Sequence, residues 1–374
     1  MKKHLTLALV CAACLPAAAQ TFDSGSDGTY GPMNITSNTT LNLPPDGIFK
    51  CTTIFITNGA TLKFNKNPLN TPVYLLATSN VTINGTIDVT GANGTAVFGG
   101  LGGPGGFDGG NPGQGLNKSG AGLGPGGGRP GAANATAAGA GPGGYGTLGG
   151  YTTNKGSTYG SPLLVPMVGG SGGGGQDANL GGGGGGGAIL IASNVRIDVA
   201  GTVNAYAGFS YYNDGSGGAI RLVAPVLAGT GSLNVTGGNG GDGRIRLDTL
   251  DRRSANFAYP AGVATVSSGA LMIVNPTPLP RLDITEAAGS NIVVGAASPV
   301  IVQLPYGSTS NRTVTVRAQD FNAAIPVAVV LTPEQGSPIV YTNVMDNASM
   351  NPVTTVFNVV IPVNVVVKVN AWTR

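Results

Sequence analysis

The stretch AILIASNVRIDVAGTVNAYAG at residues 188–208 is followed by a similar one, AIRLVAPVLAGTGSLNVTGG, at residues 219–238. An earlier copy, VYLLATSNVTINGTIDVTG, begins at Val73, and a partial copy, RIRLDTL, begins at Arg244. Alternating apolar positions in short runs rich in β-branched residues, separated by glycine, are typical of β-strands. Units of this size cannot bury their apolar face alone and must stack on their neighbours. The repeat therefore predicts an all-β fold, a right-handed parallel β-helix.

Alignment of the copies predicts which side chains stack on one another in adjacent coils. Four apolar columns result, in chain order: Leu75, Ile189, Ile220 and Ile245; Ala77, Ile191, Leu222 and Leu247; Val81, Val195 and Val226; and Ile87, Val203 and Leu233. A polar column of Asp88, Asn204 and Asn234 is expected on the outer face. Two shorter segments, from Asn34 and from Ile54, predict one or two further coils or an N-terminal cap.

A glycine-rich insertion, residues 92–187, separates the first copy from the second. Residues 91–187 hold 41 of the 65 glycines of the chain. Shorter glycine-rich stretches follow the next two copies at the same junction of the repeat, so all three are predicted to emerge on one side of the solenoid. Such a segment is either a flexible coil or a set of extended glycine-rich helices, because backbones without Cβ atoms can approach closely. We expect partial order, since YGSPLLVPMVGG from Tyr159 carries an apolar cluster.

The first residues read as a targeting segment. Lys2 and Lys3 precede a short apolar run at residues 5–15, and Ala17 and Ala19 form a small-residue cleavage pattern. We predict a signal peptide at residues 1–19 of a bacterial type, and hence a secreted or cell-surface protein, with the periplasm as the alternative. No later stretch is long and apolar enough for a transmembrane helix.

The remaining chain divides by composition. The predicted β-helix domain covers residues 20–275, and a proline-rich linker covers residues 276–280. Residues 281–374 are rich in valine and poor in glycine, with seven candidate strands that include residues 292–294 and 300–304. Seven short strands with proline, glycine and asparagine turns predict an immunoglobulin-like β-sandwich.

Loss of the signal peptide would remove most of the reactive side chains. His4 is the only histidine, and Cys51 is the only cysteine beyond residue 19. The formal net charge of +3 falls to +1 without Lys2 and Lys3. Zinc sites, Ser-His-Asp triads and Cys-His dyads are therefore excluded, and the near-neutral charge excludes a nucleic-acid partner. We predict no cofactor and no metal.

Carboxylates and arginines carry the remaining possibilities for catalysis. Asp198, Asp214 and Asp242 fall in different columns of the repeat, whereas a glycosidase needs a close pair of carboxylates. Arg221 and Arg246 share a column with Leu76 and Leu190, and we interpret the two arginines as part of a solvated face. The sequence predicts no catalytic residue and a protein that is not an enzyme.

Four aromatic residues lie at one turn of the repeat: Tyr206, Phe209, Tyr211 and Tyr212. Exposed aromatic rings beside Asn and Asp can hold sugar rings, so these residues are the candidate ligand-binding site. The alternative is that the rings pack over the edge of the coil.

Where GGAILIASNVRI meets GGAIRLVAPVLAGTGSLNVTGG, the chain resembles secreted, glycine-rich bacterial surface proteins of unknown function, with a parallel β-helix and a C-terminal β-sandwich. The resemblance rests on composition and repeats and carries over no functional residue. We predict an exported structural, adhesive or extracellular-matrix protein that contacts glycan or another surface protein and can self-associate. The alternative is a carbohydrate-active β-helix protein, either a polysaccharide-binding module, a lyase or a hydrolase.

Overall fold

The computed structural model describes residues 22–113, 119–131, 139–150, 153–176, 179–275, 278–296 and 298–373. These residues form β-strands and one 3-10 turn at Val263–Thr265, which confirms the all-β prediction. Within the described ranges, no helix is long and apolar enough to cross a membrane. The predicted signal peptide and the first two linker residues, 276 and 277, lie outside the described residues.

Parallel strands make up the part of the chain before the linker. They are β1 Gly31–Ile35, β2 Thr39–Asn42, β3 Ile48–Ile56, β4 Thr61–Asn65, β5 Val73–Ala77, β6 Val81–Ile83, β7 Thr86–Asp88, β8 Ala188–Ser193, β9 Arg196–Val199, β10 Thr202–Asn204, β11 Ala219–Val223, β12 Val226–Gly229, β13 Ser232–Asn234, β14 Arg244–Asp248, β15 Asp251–Ala255 and β16 Val266–Gly269.

The parallel strands stack in three rows. The long strand β3 pairs through its first half with β5 and through its second half with β1 and β6, so one large sheet curls at β3. One arm of this sheet runs β5-β8-β11-β14-β16, and the other runs β6-β9-β12-β15. A separate sheet runs β13-β10-β7-β4-β2. The copies that begin at Val73, Ala188 and Ala219 thus each add one strand to each row, and the partial copy from Arg244 adds strands to the two arms of the large sheet.

Several predicted columns match the observed register. Ile189, Ile220 and Ile245 are direct partners in β8, β11 and β14. Ile87, Val203 and Leu233 are partners in the separate sheet, and so are the polar residues Asp88, Asn204 and Asn234. Strands β2 and β4, from the two early segments, also pair with each other. These pairings confirm that the repeats stack on one another.

The register of the first copy was predicted wrongly by two residues. Leu75 pairs with Ile191, and Ile189 pairs with Val73. A slip of two residues keeps every side chain on the same face of the strand, so the apolar alternation is the same in both registers.

The third column was also wrong. Val81 pairs with Ile197, which pairs with Leu227, whereas Val195 lies outside the strands and is 47% exposed. Val226 pairs with Arg196 instead. The first copy is thus again shifted by two residues, whereas the third copy is shifted by one. The shift of one arises because Val226 and Leu227 are both apolar and only one of them can face the core.

A continuous apolar core lies between the three rows. Leu62, Leu75, Ile83, Ile191 and Val203 are each fully buried in it. A second apolar cluster lies on the other side of the β5-β8-β11 arm, where Leu76, Leu190 and Val223 pack against Val274. This arm is therefore covered on both faces.

Antiparallel strands form the part after the linker. They are β17 Arg281–Ala287, β18 Ser290–Asn291, β19 Asn311–Gln319, β20 Ala324–Pro333, β21 Ile339–Asp346, β22 Val353–Val360 and β23 Val367–Thr373. One sheet has the order β18-β17-β19-β22, and the other has the order β21-β20-β23. Their shared core includes Val314, Val316, Val329 and Phe357.

Two of the predicted strands in this part are wrong. Residues 292–294 and 300–304 are not strands, whereas β17 and β18 were not predicted. Val302 and Leu304 still pack against the shared core. The alternating apolar residues of this segment therefore reflect the burial of Val302 and Leu304, while its backbone has no partner strand.

Candidate functional site

The glycine run at residues 181–187 lies at the centre of a bundle of extended segments. Its N–H groups donate to three neighbouring segments in turn. The first segment is reached by Gly181, Gly184 and Gly187, which donate to the carbonyls of Thr95, Ala92 and Val89. The second is reached by Gly182 and Gly185, which donate to Gly110 and Phe107, and the third by Gly183 and Gly186, which donate to Asn213 and Ser216. Every third residue thus faces the same neighbour. A repeat of three residues with hydrogen bonds directed outward is the geometry of a polyproline II-type helix.

Carbonyl groups of the same run accept hydrogen bonds from three further segments. Gly182 and Gly185 accept from Gly100 and Gly103, Gly183 and Gly186 accept from Gly173 and Gly170, and Gly184 accepts from Gly208. The run is therefore surrounded by neighbours that satisfy its backbone, and the described part of the insertion is an ordered bundle.

Glycine is required in this bundle because the backbones are in direct contact. A Cβ atom on Gly182 would lie 2.0 Å from the carbonyl oxygen of Gly173, and one on Gly183 would lie 2.0 Å from that of Gly208. Neither distance is possible for a real Cβ atom, and the obstructing atom is backbone in both cases. The glycine content is thus a packing requirement of the fold.

The three glycine-rich stretches come together, as the repeat predicted. Gly208 donates to Gly184, and Gly217 donates to Gly241, so the turns after the second and third copies belong to the same bundle as the insertion. At its base the bundle packs on the parallel strands through buried Tyr145, whose hydroxyl donates to the Val168 carbonyl.

The predicted aromatic residues are all exposed on this bundle. The exposed fractions are 41% for Tyr206, 57% for Phe209, 56% for Tyr211 and 40% for Tyr212. About half of each side chain is thus open to solvent, and the rest is covered by the bundle. Contiguous exposed apolar patches mark protein, membrane or ligand contact surfaces.

A neighbouring loop adds three apolar residues that the sequence reasoning missed. Val97, Phe98 and Leu101 are 55%, 65% and 63% exposed. Residues 91–95 lie between the two groups: Gly91 and Gly94 donate to the carbonyls of Tyr206 and Phe209, while Ala92 and Thr95 donate to those of Leu101 and Phe98. Their signal in the sequence was the pair Val97-Phe98 within a stretch otherwise poor in apolar residues.

Both groups follow the three-residue repeat of the bundle. Tyr206 and Phe209 are three residues apart, and so are Phe98 and Leu101. In an extended segment with this repeat, residues three apart lie on one side and about 9 Å apart along the axis, at about 3.1 Å per residue. We call the seven residues Val97, Phe98, Leu101, Tyr206, Phe209, Tyr211 and Tyr212 the aromatic surface.

Tyr211 and Tyr212 form an edge-to-face pair at one end of the aromatic surface. Their ring centroids are 4.3 Å apart and their planes are inclined by 76°. Tyr211 has a left-handed backbone with φ of 38°, and its carbonyl accepts a hydrogen bond from the Asn239 side chain. The hydrogen bond with Tyr211 raises the pKa of Tyr212. The Asn239 side chain thus fixes the backbone of Tyr211 and with it the position of the ring pair.

The Asp214 side chain stabilises the loop that carries Tyr211 and Tyr212. Its carboxylate accepts hydrogen bonds from the backbone N–H groups of Ser210 and Asn239, at 2.6 and 2.8 Å. The side chain is buried, and burial raises the pKa of Asp214. Next to it, the Asn213 side chain is fully buried, and its amide atoms have no hydrogen-bond partner within the described chain.

The three candidate catalytic carboxylates do not form one site. Asp214 and Asp242 both hold the backbone of the turn at residues 237–239, through the N–H groups of Asn239 and Gly237. Asp198 lies on β9 and pairs with Arg196 at 3.0 Å. Groups of three or more His, Cys, Asp or Glu side chains suited to a metal are absent from the described residues.

Cys51 is not placed as a nucleophile. Its side chain lies in the core between the parallel rows, and burial raises the pKa of the thiol to about 11. The thiolate is the reactive form of cysteine, so this thiol is inert near neutral pH.

The interpretation of Arg221 and Arg246 as a solvated face is wrong. Both side chains are buried and pair with the same carboxylate, that of Asp248, at 3.0 and 2.7 Å. Arg221 also donates to the backbone carbonyls of the segment at residues 271–274. The register also places Tyr74, not Leu76, in this column. Arg221 thus holds the segment at residues 271–274 against the sheet, because a buried guanidinium needs acceptors for its N–H groups.

The structural class is therefore that of an all-β protein with a curled parallel sheet, separate antiparallel sheets and an ordered glycine bundle. Comparison with protein-family models, with curated proteins and with solved structures gives no match.

Proposed function

We propose that this chain is an exported, non-enzymatic structural or adhesive protein that contacts glycans through its aromatic surface. In this proposal a right-handed parallel β-helix carries the glycine bundle, and an immunoglobulin-like β-sandwich follows it. The observation that carries the function is the exposure of the aromatic surface on a framework whose backbone is hydrogen-bonded on all sides.

Three features support the β-helix. Each of the three full copies contributes one strand to each of three rows, the strands of a row pair in parallel, and one apolar core lies between the rows. Stacked units of this kind bury together what each cannot bury alone.

Sheet composition supports the immunoglobulin-like sandwich. Sheets of four and three antiparallel strands share one core, and β17 approaches β23 while β21 approaches β22 at the opposite edge. Seven strands divided in this way are typical of the constant-type immunoglobulin fold.

Glycan contact follows from the chemistry of the aromatic surface. The flat apolar faces of sugar rings pack on aromatic side chains, and their hydroxyl groups need polar neighbours. The Tyr206, Tyr211 and Tyr212 hydroxyls can supply such neighbours, beside the apolar Phe209. Rows of side chains about 9 Å apart suit an extended, linear polysaccharide better than a single compact sugar.

A non-enzymatic role is supported by what the carboxylates do. Asp214 and Asp242 accept backbone N–H groups of turns, and Asp198 pairs with its neighbour Arg196. An acid and a base for glycoside cleavage would have to flank one bond. Export is supported by the signal-peptide pattern of residues 1–19 and by the resemblance to secreted glycine-rich surface proteins.

The test is a binding assay with the chain from residue 20 onward. Insoluble cellulose, chitin and peptidoglycan, and soluble linear glucans, are incubated with the protein, and the bound fraction is measured. We expect retention on at least one linear polysaccharide. Replacing Tyr206 and Phe209 together with Ala should weaken it by roughly twofold to tenfold per ring, for about 0.5–1.5 kcal/mol each.

Tyr306→Ala is the matched control, because Tyr306 is a fully exposed aromatic residue far along the chain from this surface. Equal binding by the double variant and the wild type would contradict the proposal, as would no binding to any polysaccharide. Turnover of a polysaccharide that is lost in Asp198→Asn, Asp214→Asn or Asp242→Asn would establish the enzymatic alternative instead.

A further inference from the structure

Strand β22 forms an open edge of the second part of the chain. It pairs with β19 on one side, and the sheet order ends at β22 on the other. The strand is eight residues long, and its outward side chains Thr354, Val356, Asn358 and Val360 are exposed. Such a row of unpaired backbone groups is a template for another strand.

Two hydrogen bonds show which backbone groups point to the open side. The Val360 N–H donates to the hydroxyl of Tyr341, on the opposite sheet, whereas the Ile361 N–H donates to the Ser310 carbonyl, beside β19. Backbone groups alternate sides along an antiparallel strand. Thr354, Val356 and Asn358 therefore direct their N–H and C=O groups outward.

The composition of β22 lacks the usual protection of an edge. Natural edges are blunted by charged residues, proline, bulges or short length. The strand reads VTTVFNVV, without charge or proline. Among the other edges of these antiparallel sheets, β18 has two residues, β21 ends in Asp346, and β23 carries Lys368.

We propose that β22 pairs with β22 of a second copy of this chain, antiparallel and across a two-fold axis at Val356. In this register Thr354 lies opposite Asn358 of the second copy, and Val356 lies opposite its own symmetry mate. The outward backbone groups meet, an apolar pair stands at the centre, and polar pairs flank it. The end blocked by Tyr341 stays outside the paired region.

Self-pairing is favoured over a different partner because the strand is compatible with itself. An isologous contact places each residue opposite a residue of the same strand, and a charge on the two-fold axis would face a like charge. No such conflict arises in β22.

Sedimentation velocity of the chain from residue 20 onward, over a range of concentrations, tests the proposal. We expect a reversible monomer–dimer equilibrium. Val356→Lys places two ammonium groups opposite each other and should raise the dissociation constant by about tenfold or more, which is about 1.4 kcal/mol or more. Val356→Glu should do the same, and an equimolar mixture of the two variants should restore the dimer.

Restoration in the mixture separates the proposal from a general loss of folding, which mixing would not repair. Ile301→Lys is the matched control, because Ile301 is a 92% exposed residue of the same sandwich outside β22, and this change should leave the equilibrium unaltered. A wild type that stays monomeric at every concentration overturns the proposal. A dimer unaffected by both charged variants also overturns it.

A cross-link gives a second test that does not depend on affinity. Opposite residues in a hydrogen-bonded antiparallel pair have Cα atoms about 5.5 Å apart, which suits a disulfide. Val356→Cys should therefore form a covalent dimer under mild oxidation, since Cys51 is buried and unreactive. Ile301→Cys should not. Equal cross-linking of the two variants would contradict the two-fold axis at Val356, and this result would leave the glycan-binding proposal untouched.

Discussion

The guanidinium of Arg221 lies 3.0 Å from the carboxylate of Asp248, and both side chains are fully buried. The second oxygen of the same carboxylate faces Arg246 at 2.7 Å, and it also accepts the Leu271 N–H. One acidic group thus compensates two buried cations and holds the segment that covers the sheet.

Removing that acidic group should be costly. In Asp248→Asn two guanidinium groups stay buried without a counter-charge, and we expect a loss of about 3–5 kcal/mol in the free energy of unfolding. Urea denaturation followed by circular dichroism measures it. Asp198→Asn breaks the exposed pair with Arg196 and should cost at most about 1 kcal/mol. Similar losses in the two variants would contradict a role for Asp248 as the counter-charge.

Adding a single methyl group within the glycine bundle should destabilise the protein. Gly182→Ala places a Cβ atom 2.0 Å from a backbone oxygen, so we expect a loss of about 1–3 kcal/mol in the free energy of unfolding. At Gly131 the nearest atom to a Cβ would be 3.5 Å away, an ordinary contact. Gly131→Ala should therefore be neutral or stabilising by about 0.4–1 kcal/mol. Thermal melting of both variants checks the contrast, and equal melting temperatures would refute the close packing.

Asp214 should make the protein less stable as pH rises. Burial raises its pKa above the ordinary value of 3.8, so the folded state binds the proton more tightly than the unfolded state. Stability due to this group therefore falls as pH increases from 3.8 to the raised value. We expect the stability of Asp214→Asn relative to the wild type to increase over that interval, in unfolding measured at several pH values.

Asp251 supplies a control of opposite sign. The Arg253 side chain, which donates hydrogen bonds to it, lowers the pKa of Asp251 to about 2. Its contribution to stability is present above 3.8 and is lost as pH falls towards 2. Asp251→Asn should therefore lose stability relative to the wild type as pH rises through this lower interval. Parallel curves for the two variants would contradict both assignments.

Trp372 should report on the contact between the sandwich and the bundle. Its ring meets that of Phe107 edge to face, with centroids 5.1 Å apart. Phe107→Ala should cost about 0.5–1.5 kcal/mol for the aromatic pair and shift the emission of this sole tryptophan to longer wavelength. Tyr306→Ala, at a fully exposed ring, should do neither. An unchanged emission spectrum in Phe107→Ala would show that the contact is absent in solution.

Part of the candidate site followed from the sequence. The turn with Tyr206, Phe209, Tyr211 and Tyr212 was predictable because it stands at a junction of the repeat, where chains leave the sheet. Phe98 and Leu101 were not connected with it, because more than a hundred residues separate them from Tyr206. Only the hydrogen bonds of residues 91–95 to both sides bring the two groups together.

Local alternation and the spacing of the repeats determined that this chain is all-β, that Ile189, Ile220 and Ile245 stack, and that the glycine-rich stretches meet on one side. These properties depend on the period of the apolar residues and on the order of the repeats, and both can be read from residues close together in the sequence. The tertiary structure alone decided which strands pair with a shift of two residues, that residues 300–304 lie unpaired, and that Arg221 is buried against Asp248. Alternation specifies the face of a side chain but not its partner, and a buried charge depends on a counter-charge that folding brings from elsewhere.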